Sequence, residues 1–211
     1  MTAHHLSKNC EAIVAKTSPR ATPLPLLQKK FFKKGSLQAP IQQISFEKGC
    51  NMLTVRLIAP GELKESYLRE AVAEYEKRLG AYCRVEKIAI KEERLPDRPS
   101  DAEIHAALEA EADKILEKIP PRAYAIAMCI EGKMLSSEAL ASKIRQVTLD
   151  GYSEICLIIG SSHGLSERVK SACHLRLSVS PMTFPHQLMR VMLYEILYRT
   201  MNIISGGKYH K

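Results

Sequence analysis

The sequence predicts an α/β protein whose mostly parallel sheet is flanked by helices. Two uninterrupted apolar runs, Tyr124 to Ile130 and Ile155 to Ile159, have strand length and none of the alternation of a half-solvated sheet, so both faces must be covered. Strand-like and helix-like segments alternate, with connections long enough for parallel crossovers. With 45% hydrophobic and 26% charged residues in 211, the chain is neither disordered throughout nor collagenous. No run approaches the roughly 18 apolar residues of a membrane-spanning helix, so a soluble protein is expected.

The regular pattern begins at Leu53, where Leu53 to Ala59 reads as a strand broken by Pro60-Gly61. A long amphipathic helix follows from about Leu63 to Tyr82, with Leu68, Val72, Tyr75 and Leu79 on one face. Arg84 to Ile90 alternates imperfectly as a second strand, and a polar loop carries Pro96 and Pro99. Ser100-x-x-Glu103 is a capping box opening a helix whose apolar positions include Ile104, Leu108 and Ile115, ending at Pro120-Pro121. After the strand from Tyr124, Ser136 opens a helix to about Thr148, and the strand from Ile155 runs into Gly160. A short helix starts near Ser166, and His174 and Arg176 sit on a short apolar strand.

Pro185 suits the first turn of a final helix reaching about Ile203. Leu188, Met189, Val191, Met192, Leu193, Ile196, Leu197 and Met201 cover nearly its whole circumference. In a domain this small a second copy of the chain can cover the second apolar face of that helix, which predicts a homodimer through it. Glu195 and Arg199, spaced i to i+4, are placed to pair.

Charge divides the chain into three. Residues 1–51 hold eight Lys/Arg against two Asp/Glu, residues 52–167 hold 16 against 20, and residues 168–211 hold seven against Glu195 alone. The nets are +6, −4 and +6, so the C-terminal end is the part of the body suited to a polyanion. The first segment mixes prolines, lysine pairs and unpatterned apolar residues and reads as a basic, disordered extension. Its Lys29-Lys30-Phe31-Phe32-Lys33-Lys34 cluster fits an RNA-contacting arm, its composition an organellar transit peptide, and Met52 a true start. A single domain over 52–211 follows. The six cysteines form no C-x-x-C pair and none of the short histidine spacings of zinc sites. The expectation is a disulfide-free, metal-free protein of a reducing compartment.

Three strand-to-loop junctions carry the chemistry. Gly160-Ser161-Ser162-His163-Gly164 matches the nucleophile elbow of serine hydrolases, with Ser162 as nucleophile and Glu195 and His210 as the remaining triad. It equally fits a glycine-rich turn bringing backbone groups to a ligand at the carboxyl end of a strand. Ile130-Glu131-Gly132-Lys133 and Ser180-Pro181-Met182-Thr183-Phe184-Pro185-His186 are the other two, and all three can converge on one pocket.

Taken together, LTVRLIAPGELKESYLREAVAEYEKRL at the start of this region, EGKMLSSE, IIGSSHGLS, MTFPHQLMRVMLYEILYR and the closing KYHK resemble, in order, the RlmH family of SPOUT-class methyltransferases. The resemblance covers essentially all of 52–211 and none of 1–51. It implies a SPOUT-type α/β knot, in which a C-terminal trefoil knot binds S-adenosylmethionine. It further implies a cytoplasmic homodimer with its RNA site between subunits, and a reaction at N3 of a pseudouridine in helix 69 of large-subunit (23S) ribosomal RNA on the assembled ribosome. By motif position, the cofactor contacts are Met128, Cys129, Gly160 and Ser161, with Ser180, Pro181, Met182, Thr183, Phe184 and Pro185 as the third loop. Ser161 stands where the family has glycine, which narrows the room for close approach, and His163 stands where many relatives carry an acid.

In that frame His210 is the candidate general base and Tyr209 orients or stacks on the target base. Lys208 and Lys211 contact phosphate, Lys211 without the fork of the family's usual arginine. His186 and Arg190 are further RNA contacts, with a structural role equally open for His186 and an intersubunit carboxylate for Arg190. His174 and Arg176 are weaker members of the same basic surface, and His105 is a helix surface residue.

Overall fold

A computed structural model describes residues 52–209. The extension over 1–51, His210 and Lys211 lie outside the described residues. Five strands and five helices follow one another as β1 (Thr54–Pro60), α1 (Ser66–Leu79), β2 (Arg84–Ile90), α2 (Asp101–Glu117), β3 (Tyr124–Met134), α3 (Ser137–Leu149), β4 (Glu154–Ile159), α4 (Glu167–Ala172), β5 (Leu175–Ser178) and α5 (His186–Ile204). The sheet order is β2-β1-β4-β3-β5 and every neighbouring pair is parallel.

The pleat sorts the central strands onto two buried faces. Val55 and Leu57 of β1, Tyr124, Ile126 and Met128 of β3, and Ile155, Leu157 and Ile159 of β4 join Val72, Ile144, Leu193 and Leu197 under α1, α3 and α5. The alternate residues Ile58, Ala125, Ala127, Cys156 and Ile158 join Ala112, Ile115 and Val169 under α2 and α4. This is why the strands from Tyr124 and Ile155 read as unbroken apolar runs. On this second face β3 contributes the small residues Ala125 and Ala127 to the core.

Helix ends follow local chemistry. The capping box forms at Ser100 and Glu103 as its spacing predicts, and Ser136 and Ser166 cap α3 and α4 through their side chains. Helix α1 is shorter than its apolar period suggests. The Lys64 N–H donates to Gln187 Oε1 at 3.1 Å, and Arg69 folds back to donate to the carbonyls of Leu63 and Lys64, so the chain docks on α5 before the helix begins. At the other end the N–H groups of Tyr82 and Cys83 both return to the Leu79 carbonyl, closing the helix there.

Strand β3 outlasts its apolar run because it pairs with β5 twice. Leu177 is the partner of Met128 and again of Lys133, so residues 129–132 loop out between the two pairings. The crossing is tight: a Cβ on Gly132 would lie 2.6 Å from the Leu177 carbonyl carbon. The outlooped segment is the first wall of the site.

Candidate functional site

A cavity of about 360 Å³ opens outside the carboxyl ends of β3, β4 and β5, where open α/β sheets bind ligands. Its floor is apolar, formed by Met128, Ile159, Leu165, Leu177 and Met189. One wall is the 129–131 segment, a second is the turn from Gly160 to Gly164, and the third runs from Ser178 to Phe184 and on to His186 at the start of α5. The three junctions marked in the sequence are thus brought together. Of the residues placed on the cofactor by motif position, Met128, Cys129, Gly160, Ser161, Ser180, Met182, Thr183 and Phe184 line the cavity, whereas Pro181 and Pro185 do not. Pro185 instead caps α5.

The second wall depends on glycine. The turn closes through the Gly164 N–H donating to the Ser161 carbonyl at 3.0 Å, and it folds back so sharply that a Cβ on Gly160 would lie 2.1 Å from the Gly164 oxygen. Gly164 has φ +88°, a conformation open to glycine and costly to other residues. The crowded position is therefore Gly160, while Ser161 projects at the mouth between this cavity and a neighbouring one of about 260 Å³ lined by Glu92, Glu111 and His163. In the third wall, Ser180 Oγ accepts the Met182 N–H at 3.0 Å and its carbonyl accepts the Ser178 hydroxyl at 3.1 Å, which holds the loop in shape.

Two charged side chains line the cavity, Lys170 of α4 and Glu131 of the outlooped segment, and they form an ion pair. Burial opposes the Lys170 charge, but its hydrogen bonds to Glu131 and Glu167 outweigh that and hold its pKa above the ordinary lysine value. The same bond from Lys170 holds Glu131 below the usual carboxylate range. Burial, aided by the nearby Glu131 charge, pushes the Cys129 thiol up, so it stays neutral. Glu131 lies in one of the junctions the sequence marks, but Lys170 does not stand out, because α4 and the β3 loop meet only through the fold.

Among the described residues the serine and acid of a hydrolase triad are not brought together. Ser162 Oγ lies 3.2 Å from His163 Nδ1, but Glu195 is bound to Arg199 and Tyr209 on α5 and does not line the cavity. His210 lies outside the described residues.

Arg190 corrects its assignment as an RNA contact. It is 6% exposed, and its guanidinium donates to the carbonyls of Pro60 and Gly61, fastening the β1–α1 junction to α5. Burial pulls its pKa down, with Glu62 and Glu92 acting against that. Tyr209 does not line the cavity. Its hydroxyl donates to Glu195 Oε2 at 3.2 Å, its ring meets Tyr198 edge-on at 4.8 Å, and the Arg199 guanidinium lies 4.8 Å above it. Burial and the Glu195 carboxylate push its phenol up. Its N–H donates to Asn202 Oδ1 at 3.1 Å, so the tail is fastened along α5. The partners of the ring and hydroxyl, Glu195, Tyr198 and Arg199, all come from one side of α5.

The basic C-terminal end is largely neutralised within the chain. Arg168 pairs with Glu109 and Asp113, Lys170 with Glu131 and Glu167, Arg176 with Glu167, and Arg199 with Glu195. Lys208 is exposed. His174 is structural: its Nδ1 accepts the Ala125 N–H at 3.0 Å and its ring stacks on Tyr124 at 4.7 Å. His186 is half-buried at the cavity, and His105 is on the exposed face of α2. The four described cysteines are free thiols, and no described helix is long and apolar enough to cross a membrane.

A family model described as "Predicted SPOUT methyltransferase" matches residues 53–210. The chain is 47% identical over 159 residues to the ribosomal RNA large subunit methyltransferase H of Streptococcus thermophilus, a match covering 75% of this chain and 100% of that protein. It is 43% identical over 159 residues, with the same coverage, to the protein of that name in Streptococcus equi subsp. zooepidemicus. Among solved structures, a probable methyltransferase from Bordetella pertussis Tohama I aligns with a TM-score of 0.45 and 16% identity, over 70% of this chain and 95% of that one.

Proposed function

The chain belongs to the SPOUT methyltransferase family, and we propose that it methylates N3 of a pseudouridine in helix 69 of 23S ribosomal RNA, using S-adenosylmethionine on the assembled ribosome. The observation that carries this reading is the match along the full length of ribosomal RNA large subunit methyltransferase H. In its coarser form, a ribosomal RNA methyltransferase, the assignment follows from that match directly.

The cavity fits the donor. Its volume of about 360 Å³ lies within the roughly 300–1,000 Å³ of small-molecule sites. The Met128, Ile159, Leu177 and Met189 floor offers apolar surface to a purine, and the three loops offer backbone donors and acceptors around it. When bound, the donor supplies an electrophilic methyl on a sulfonium. The protein's part is to hold the acceptor nitrogen in line at about 3–3.5 Å from that carbon and to accept its proton. A histidine with a pKa near the working pH suits the second task, and His210 is the candidate.

A homodimer through α5 supplies what one protomer lacks. Tyr209 is fastened away from its own cavity, so the tail serves a partner's. Apolar side chains around the mouth favour such a contact: Ile130 is 51% and Met182 is 70% exposed. The passage of 175–178 beneath the 129–132 loop supports a knotted path for the C-terminal segment. With most C-terminal cations paired internally, isolated RNA should bind weakly and the folded ribosome surface supply the remaining contacts. We assign the protein to the cytoplasm, with residues 1–51 as an extension to the 52–211 domain.

Transfer of labelled methyl from S-adenosylmethionine to ribosomes lacking the modification, followed by nucleoside analysis, tests the reading. A 3-methylpseudouridine product is expected. Transfer to another nucleoside refutes the substrate, and no transfer refutes the activity.

A further inference from the structure

The methyl and proton transfers proposed above make no use of the Lys170–Glu131 pair. Lys170 is only 15% exposed in its side chain, with Glu131 on one side and Glu167 of its own helix on the other at 3.0 Å. Glu167 is held in turn by Arg176 at 3.1 Å. Two acids and two bases make an array of zero net charge, of which only Lys170 and Glu131 line the cavity. Apart from the histidines, they are its only ionisable lining side chains of full charge at neutral pH among the described residues.

We propose that Lys170 and Glu131 form the subsite for the amino-acid end of the nucleoside cofactor, Lys170 taking the α-carboxylate and Glu131 the α-ammonium. This rests on the reading of the cavity as an S-adenosylmethionine site. An ammonium has three N–H donors, and Lys170 spends two on Glu131 and Glu167, leaving one for a ligand carboxylate. Glu131 is half-exposed, so its carboxylate is open to a second cation. An amino-acid zwitterion carries both complementary charges with no net charge, so it docks on a neutral array without leaving an uncompensated ion. The lysine is already ordered by its two carboxylates, which lowers the cost of binding.

The test compares S-adenosylhomocysteine with 5′-methylthioadenosine, which share the adenosine and the neutral thioether and differ in the amino-acid end. Calorimetry on the full chain should show the first binding more tightly than the second. Lys170→Met should weaken S-adenosylhomocysteine about tenfold or more, the loss expected for a charge-assisted hydrogen bond, and leave methylthioadenosine unchanged. Glu131→Gln should act in the same direction, and Lys170→Arg should restore most of the preference. An unchanged preference in Lys170→Met overturns the subsite and leaves the cofactor reading standing. Equal loss of both nucleosides in Lys170→Met and Glu131→Gln also overturns it, since the pair would then only shape the cavity. Failure of the wild-type chain to bind either nucleoside overturns the cofactor reading and the subsite together.

Discussion

Replacing Gly160 with alanine probes the turn that forms the second wall of the cavity. The added Cβ would stand 2.1 Å from the Gly164 oxygen, 2.3 Å from its carbonyl carbon and 2.9 Å from the Leu165 nitrogen. All three are backbone atoms, so relief cannot come from a side-chain rotation. The turn must open, at an overpacking cost of about 1–3 kcal/mol. Opening also breaks the Gly164 to Ser161 hydrogen bond of 3.0 Å, worth about 1 kcal/mol. A total of roughly 2–4 kcal/mol corresponds to a fall in Tm of about 5–15 °C for a domain of this size. Scanning calorimetry at fixed protein concentration measures it, and S-adenosylhomocysteine titration should show binding lost in parallel. Gly164→Ala is the control, because its Cβ meets nothing within 4 Å and it pays only for φ +88°, about 1–2 kcal/mol. A Gly160→Ala protein that melts within 1 °C of wild type and binds the nucleoside normally would refute the reasoning.

Arg190→Met should lower Tm, since it strips the donors from the Pro60 and Gly61 carbonyls, yet leave the salt dependence of ribosome binding unchanged. Lys208→Ala should do the reverse, reducing the log–log salt slope by about one with little change in Tm; a salt effect from Arg190 instead would show that it reaches phosphate. Tyr209→Phe removes the hydroxyl from Glu195 and should lower the single-turnover methylation rate while S-adenosylhomocysteine affinity holds, as separate rate and titration measurements would show. Burial pushes the Cys83 thiol up to about 12 from an ordinary value near 9, so the folded chain keeps a proton that the unfolded chain releases. Its stabilising contribution is complete below pH 9 and lost as pH rises from 9 to 12, at up to about 1.4 kcal/mol per pH unit. Urea melts across that window should show the decline, and Cys83→Ala should flatten its slope.

The terminal helix shows how far periodicity reaches. Its all-round apolar composition announced a helix buried on most sides, whereas one face, with Leu193, Tyr194, Leu197 and Met201, is buried in the chain while Leu188 is 41% exposed and Val191, Met192 and Ile196 are half-buried. Arg190 on the same helix looked like a free cation because a one-dimensional pattern cannot show that two backbone carbonyls 129 and 130 residues away will meet it. Charge counting is limited in the same way. Four cations of the C-terminal end, Arg168, Lys170, Arg176 and Arg199, find carboxylates contributed by α2, the β3 loop, α4 and α5, so the formal charge overstates the field left for a phosphate.

Local chemistry was legible in the sequence: which segments are strands or helices, the serine caps, the three loops at strand ends, and the family they match. These depend on neighbours a few residues apart, where steric preference and apolar period act. The tertiary structure alone decided that Leu177 pairs twice with β3, that Glu131 and Lys170 face one cavity, that Tyr209 lies on α5, and which cations remain free. The Leu177 and Glu131–Lys170 contacts join residues 39 to 49 positions apart, made only when burial of the two sheet faces brings the segments together, and the Tyr209 contact needs the chain to turn back along α5 after it ends.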